Sequence, residues 1–161
     1  MKGEIKTILS KGLGVGYMGK GKLGEENRVD FDLKSNDYQG SEGRYHDAWI
    51  GEKNGGGQEL VETPDREKAT RVYGGGTLIN EKLTELGLTH ADVIGKLLFF
   101  VGKLGDKTRL DANVETNEED WNYTYEVLES VKEIPVVLGK EMIEYKGTIV
   151  FVHFHINSPI K

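Results

Sequence analysis

The residues best suited to chemistry lie near the end of the chain, in Phe151-Val152-His153-Phe154-His155-Ile156. Imidazole is both a metal ligand and a proton carrier near neutral pH. In an extended strand successive side chains alternate faces, so His153 and His155 share one face with Phe151, about 6–7 Å apart. Two imidazoles at that spacing can chelate a metal ion when a third ligand arrives from a neighbouring strand. Lys146-Gly147 reads as a turn that folds the preceding segment back alongside, and that segment carries Glu141 and Glu144. These two glutamates fall on opposite faces, so only one can join the histidines. The competing reading is that the histidines hydrogen-bond to neighbouring carboxylates. Val150, Val152, Phe154 and Ile156 occupy the other face and read as core.

A second group lies in Tyr45-His46-Asp47-Ala48-Trp49. His46 and Asp47 are adjacent on a strand and point to opposite faces, so they cannot form an acid–base pair with each other. Asp47 aligns instead with Tyr45 and Trp49, a carboxylate between two aromatics, which suits a pocket wall with one polar anchor. Glu59 alternates with Val61 and reads as an inward carboxylate, which requires a partner if buried. Gly14, Gly16 and Gly19 form a literal G-x-G-x-x-G, but a helical pattern precedes them and no helix follows. That context does not fit a dinucleotide fingerprint, so the segment reads as a ligand-covering loop. No G-x-S-x-G, P-loop or H-E-x-x-H motif occurs, so hydrolase and kinase readings have no specific support.

These residues must be positioned by a chain of 161 residues and 18.0 kDa, long enough for a single domain. Its 21 Lys and Arg against 27 Asp and Glu give a net charge of −6, which argues against a phosphate backbone as main partner. The absence of cysteine removes disulfides, thiolate metal sites and a cysteine nucleophile. Leu97–Val101, the densest apolar run, is far shorter than the roughly 20 residues of a membrane span. The first residues show no secretory pattern, so a cytoplasmic location is expected. No cofactor is expected, and an exposed strand edge would permit a homodimer.

Ile5, Ile8, Leu9 and Leu13 lie at helical spacing, with Gly12, Gly14 and Gly16 expected to stop that helix. Tyr45–Gly51, Gln58–Glu62 and Thr70–Tyr73 read as strands, with Asn54–Gly57 as a turn. Thr89 with Asp92 resembles a capping box, opening a helix whose apolar stripe is Ile94, Leu97, Leu98 and Val101 and which Gly105 ends. Trp121, Tyr123, Tyr125 and Val127 alternate along a strand, and two more follow. Gly57-Gln-Glu-Leu-Val-Glu62 and Gly139-Lys-Glu-Met-Ile-Glu144 share one shape. The expected architecture is therefore α+β: an antiparallel or mixed sheet of about six strands with two main helices, arranged as helix–three strands twice over, in pseudo-repeat halves 1–80 and 81–161.

Tyr17-Met18-Gly19, Asp32-Leu33, Tyr45-x-Asp47-x-Trp49-x-Gly51, Gly57-x-Glu59-x-Val61, Tyr73-x-Gly75, Gly139-x-Glu141-x-Ile143 and Phe154-His155 together resemble an uncharacterised prokaryotic family, a domain of unknown function sometimes found behind helix-turn-helix modules. That family usually carries a Trp and Asn-Tyr-x-Gly near Arg71–Gly74, and two glycines where this chain has Ile156-Asn157. The resemblance implies no established activity, but it raises Asp47, Glu59, Glu141 and His155 as site candidates. The leading expectation is a small molecule bound in a pocket lined by Tyr45, Asp47, Trp49, Glu59, Glu141 and His155. The alternatives are a metal-assisted or acid–base hydrolase or isomerase using His155 and Glu141, with His153 and His155 as metal ligands, and a homo-oligomeric assembly module.

Overall fold

The computed structural model describes residues 3–17, 22–131 and 133–160, and of residues 13–17 the backbone alone. Helix α1 (Gly3–Tyr17) opens the chain, followed by strands β1 (Lys22–Arg28), β2 (Phe31–Gly40), β3 (Gly43–Ile50), β4 (Asn54–Glu62) and β5 (Lys68–Thr77). Helices α2 (Asn80–Glu85) and α3 (His90–Leu104) and a 3-10 turn (Gly105–Lys107) lead to β6 (Val114–Glu118), β7 (Trp121–Ser130), β8 (Val137–Tyr145) and β9 (Thr148–Ile160). All neighbouring strands run antiparallel, in one sheet of order β1-β2-β3-β4-β5-β9-β8-β7-β6.

This corrects the expectation of about six strands and two main helices in three-strand units. Among the described residues there are nine strands, five after the first helix and four after the third. The three missed strands are largely polar: β1 reads KLGEENR, β2 reads FDLKSNDYQG and β6 reads VETNE, none with a sustained apolar alternation to mark it. A two-residue turn at Val29-Asp30, both at positive φ, joins β1 to β2, and this left-handed geometry matches the twist of a hairpin. Asn54–Gly57 is the start of β4 rather than a turn.

The glycines at 12, 14 and 16 do not stop α1, which continues to Tyr17; Gly19 lies outside the described residues. Gly12 has a packing role, because a Cβ there would sit 2.2 Å from the Tyr45 ring. Helix α3 starts at the expected capping box, with Thr89 and Asp92 each accepting from the other's backbone N–H, and Gly105 caps its end. Its buried stripe is Val93, Leu97, Phe100 and Val101, so the helix is rotated slightly from the expected face.

Both long helices cover the same face of the sheet. Under α1, Ile5, Ile8 and Leu9 pack on Tyr45, Val61, Ala69 and Leu110. Under α3, Val93, Leu97 and Phe100 pack on Trp121, Tyr123, Ile143 and Phe151. Val150 is core as expected, but beyond a register shift at the start of the strand the faces expected for β9 are inverted. Phe151 and His155 are buried and His153 half-buried on the covered side, whereas Phe154 and Ile156 are 46% and 47% exposed on the uncovered one. Hydrophobicity alone misassigned the faces, because the covered face carries a polar seam with internal partners. No helix among the described residues is long and apolar enough to cross a membrane.

Candidate functional site

The polar seam runs between the two apolar clusters, across the covered face of β3, β4, β5, β9, β8 and β7. Strand register places Asp47 beside Glu59 and Glu59 beside Arg71. Arg71 reaches Glu59 through Nε and through Nη2, the latter 2.7 Å from Oε1. Tyr45 donates to the same oxygen at 2.7 Å. The third donor of Arg71, Nη1, meets the backbone carbonyl of Arg109 at 3.1 Å. That carbonyl also accepts from Asn157 Nδ2 at 3.3 Å, so the segment after α3 is pinned to the middle of the sheet.

The other end of the seam centres on Glu141. Arg109 holds it by a two-pronged pair, Nε to Oε1 and Nη2 to Oε2, both at 2.7 Å. Tyr123 donates to Oε1 at 2.6 Å and in turn accepts from Thr108 at 2.5 Å. His155 Nε2 lies 3.3 Å from Oε2. An ionised carboxylate only accepts, so Nε2 carries the proton and Nδ1 keeps a bare lone pair. Among the described residues Nδ1, though buried, has no hydrogen-bond partner.

Charge balance explains the protonation states. Burial would raise Glu59, but the charge and hydrogen bonds of Arg71 hold it below its usual value. Burial would likewise raise Glu141, and the charge of Arg109, with the His155 and Arg109 hydrogen bonds, holds it well below. Two arginines thus balance two glutamates. Asp47 is a third acid, and burial together with the nearby Glu59 carboxylate pushes it up to about 7. Burial lowers both strand histidines, His153 to about 3, so each imidazole is neutral at ordinary pH.

The two Gly-x-Glu segments have a common physical reason. Tyr73 on β5 crosses Gly57 on β4 to donate to both Asp47 oxygens on β3, at 3.1 and 3.3 Å. A Cβ at Gly57 would lie 2.6 Å from that hydroxyl. On the other side Tyr125 lies over Gly139 and donates to the Leu110 carbonyl at 2.9 Å, and a Cβ at Gly139 would come within 2.0 Å of its hydroxyl. Each glycine gives a tyrosine room to lie flat across the sheet.

One end of the seam opens into a hollow of about 310 Å³ between the sheet and the start of α3. Its walls include Trp49, Tyr73, His90, Ile94, Phe151 and His153, with glycine backbone at Gly51, Gly55, Gly56, Gly75 and Gly76. His153 packs against Phe151 and Tyr73, with ring centres 4.4 and 5.6 Å apart. A larger hollow, about 660 Å³, lies among Lys22, Asp37, Arg44, His46, Glu62 and Lys68. Of the six residues expected to line a pocket only Tyr45 borders it, and none of Asp47, Glu59, Glu141 or His155 does, so size does not identify the site. His46 is there, between Asp37 and Glu26 at 2.9 Å each, on the opposite face from Asp47.

Of the residues singled out in the sequence, Tyr45, Asp47, Glu59, Glu141 and His155 all join the buried seam. They are packed around two arginines rather than spread around an open cavity, and of the six only Trp49 lines the hollow itself. Glu141, not Glu144, joins the histidines: a carboxylate oxygen of Glu141 and one nitrogen each of His153 and His155 lie within 4.8 Å of one another. Sequence reasoning missed Arg71, Tyr73, Tyr123, Tyr125 and Arg109. Arg71 alternates with Ala69 and Tyr73, so its inward direction was readable; Arg109 sits in a connecting segment with no pattern. A scan against protein-family models gave no match, and searches of curated proteins and of solved structures found no similar protein. The family resemblance therefore rests on its motif residues alone.

Proposed function

We propose that the protein binds a small molecule in the hollow formed by Trp49, Tyr73, Phe151 and His153. The observation that supports this most directly is Tyr73: it lines the hollow and its hydroxyl is fixed by the buried Asp47 carboxyl. A ligand there meets flat aromatic surface and polar atoms whose positions are set from behind, the usual composition of a small-molecule site. A volume of about 310 Å³ is at the small end of such sites, roughly 300–1,000 Å³, and suits a ligand of one or two rings.

A fragment library tested by thermal shift and calorimetry checks this reading. Ligands of the hollow raise the melting temperature in a dose-dependent way and lose that effect in Trp49→Ala. Fragments that bind Trp49→Ala as well as the parent protein, or that respond only to substitution of Arg44 in the larger hollow, would contradict it.

A further inference from the structure

We propose that His153 and His155, which have a nitrogen each within 4.8 Å of one another, together seat a late first-row divalent cation, with Zn²⁺ as the reference ion, behind the wall that His153 contributes to this hollow. The two imidazoles protrude from the same face of β9 with ring centres 5.9 Å apart and nearly perpendicular planes. Each has a neutral nitrogen with a lone pair to offer. Imidazole nitrogen is the ligand type that zinc, cobalt, nickel and copper favour over magnesium and calcium.

The arrangement around His155 is the second and independent observation. Ligating histidines usually give their other ring N–H to a carboxylate or carbonyl, which fixes tautomer and ring orientation. His155 does this with Glu141, and the nitrogen left over is the buried Nδ1 without a partner. An unsatisfied buried polar atom carries a desolvation penalty, which a bound cation would relieve.

Glu141 lies close enough to be read as a third ligand. Its four hydrogen bonds, from both prongs of Arg109, from Tyr123 and from His155, occupy the lone pairs that a metal would need. Glu141 is therefore a positioning residue behind His155. The remaining coordination positions belong to water or to a donor atom of a molecule in the hollow, which His153 borders and through which the ion enters. This site does not require the small-molecule reading, since the ion binds whether or not an organic ligand follows.

The test uses the full chain without a histidine tag, stripped with a chelator and titrated with Co²⁺ by visible absorption and with Zn²⁺ by calorimetry. The expected result is one ion per chain, with affinity falling at least about tenfold in His153→Gln. His153 is half-buried, so this variant keeps the fold, which circular dichroism verifies. His46→Gln is the control for chance binding between Glu26 and Asp37, and it should leave affinity unchanged. No binding by the parent protein, equal binding by His153→Gln, or loss only in His46→Gln would overturn the proposal.

Discussion

The strip of sheet under α1 and the strip under α3 share a plan and differ in one member. Under α1, a tyrosine (Tyr45) and an arginine (Arg71) converge on Glu59, and Gly57 lets Tyr73 cross the sheet. Under α3, Tyr123 and Arg109 converge on Glu141, and Gly139 makes room for Tyr125. The added group is an acid, Asp47, in the first strip and an imidazole, His155, in the second. Their surroundings lead to opposite outcomes. With both arginines already matched, Asp47 holds its proton up to about pH 7. His155, next to a paired glutamate, stays neutral and donates to it. One plan therefore yields a titrating acid at one end and a bare nitrogen lone pair at the other.

The largest effect that could break this comparison comes from removing an arginine. Arg71→Leu leaves Glu59 buried without its cation and should lower stability by about 3–5 kcal/mol in chemical denaturation. Arg109→Leu should be milder, because His155 can take up a proton beside Glu141. Equal losses, or a larger one for Arg109→Leu, would mean that the histidine does not distinguish the two strips.

Next in size is the pH dependence. The Asp47 value is raised from 3.8 to about 7 in the folded protein, so its favourable contribution is complete below about pH 4 and is lost as pH rises through 7. A shift of about three units corresponds to at most about 4 kcal/mol. Asp47→Asn should remove this decline and leave the variant more stable than the parent at pH 8.5. Parallel stability profiles for the two proteins between pH 4 and 8.5 would argue that Asp47 ionises normally.

Smaller changes sharpen the role of the glycines and the crossing tyrosine. Gly139→Ala drives a methyl into Tyr125 and should cost about 1–3 kcal/mol, whereas Gly147→Ala, with nothing within 4 Å, bears only the strain of its positive φ. Tyr73→Phe removes the hydrogen bond to Asp47 and should lower stability by about 1 kcal/mol, most at high pH, where the carboxylate needs it. A loss independent of pH would separate Tyr73 from the Asp47 titration.

Much of the seam could be read from alternation alone. Period two placed Asp47 with Tyr45 and Trp49, Glu59 with Val61, and His153 with His155, and the repeated Gly-x-Glu marked both inward glutamates. Three kinds of information were missing. Polar strands such as β1 and β6 carry no hydrophobic period, so the sheet was under-counted. Which face of β9 is covered depends on where α1 and α3 dock, and local sequence does not encode that. Arg109, which balances Glu141, arrives from a connecting segment 32 positions away, and its direction is set by the carbonyl contacts that pin that segment.

The matching of two buried arginines to two glutamates, with one acid in excess, is tested most directly by a ¹³C NMR titration of the Asp47 side-chain carboxyl. The expected midpoint is about 7 in the parent protein. A midpoint near 4, the ordinary value for an aspartate in water, would contradict it.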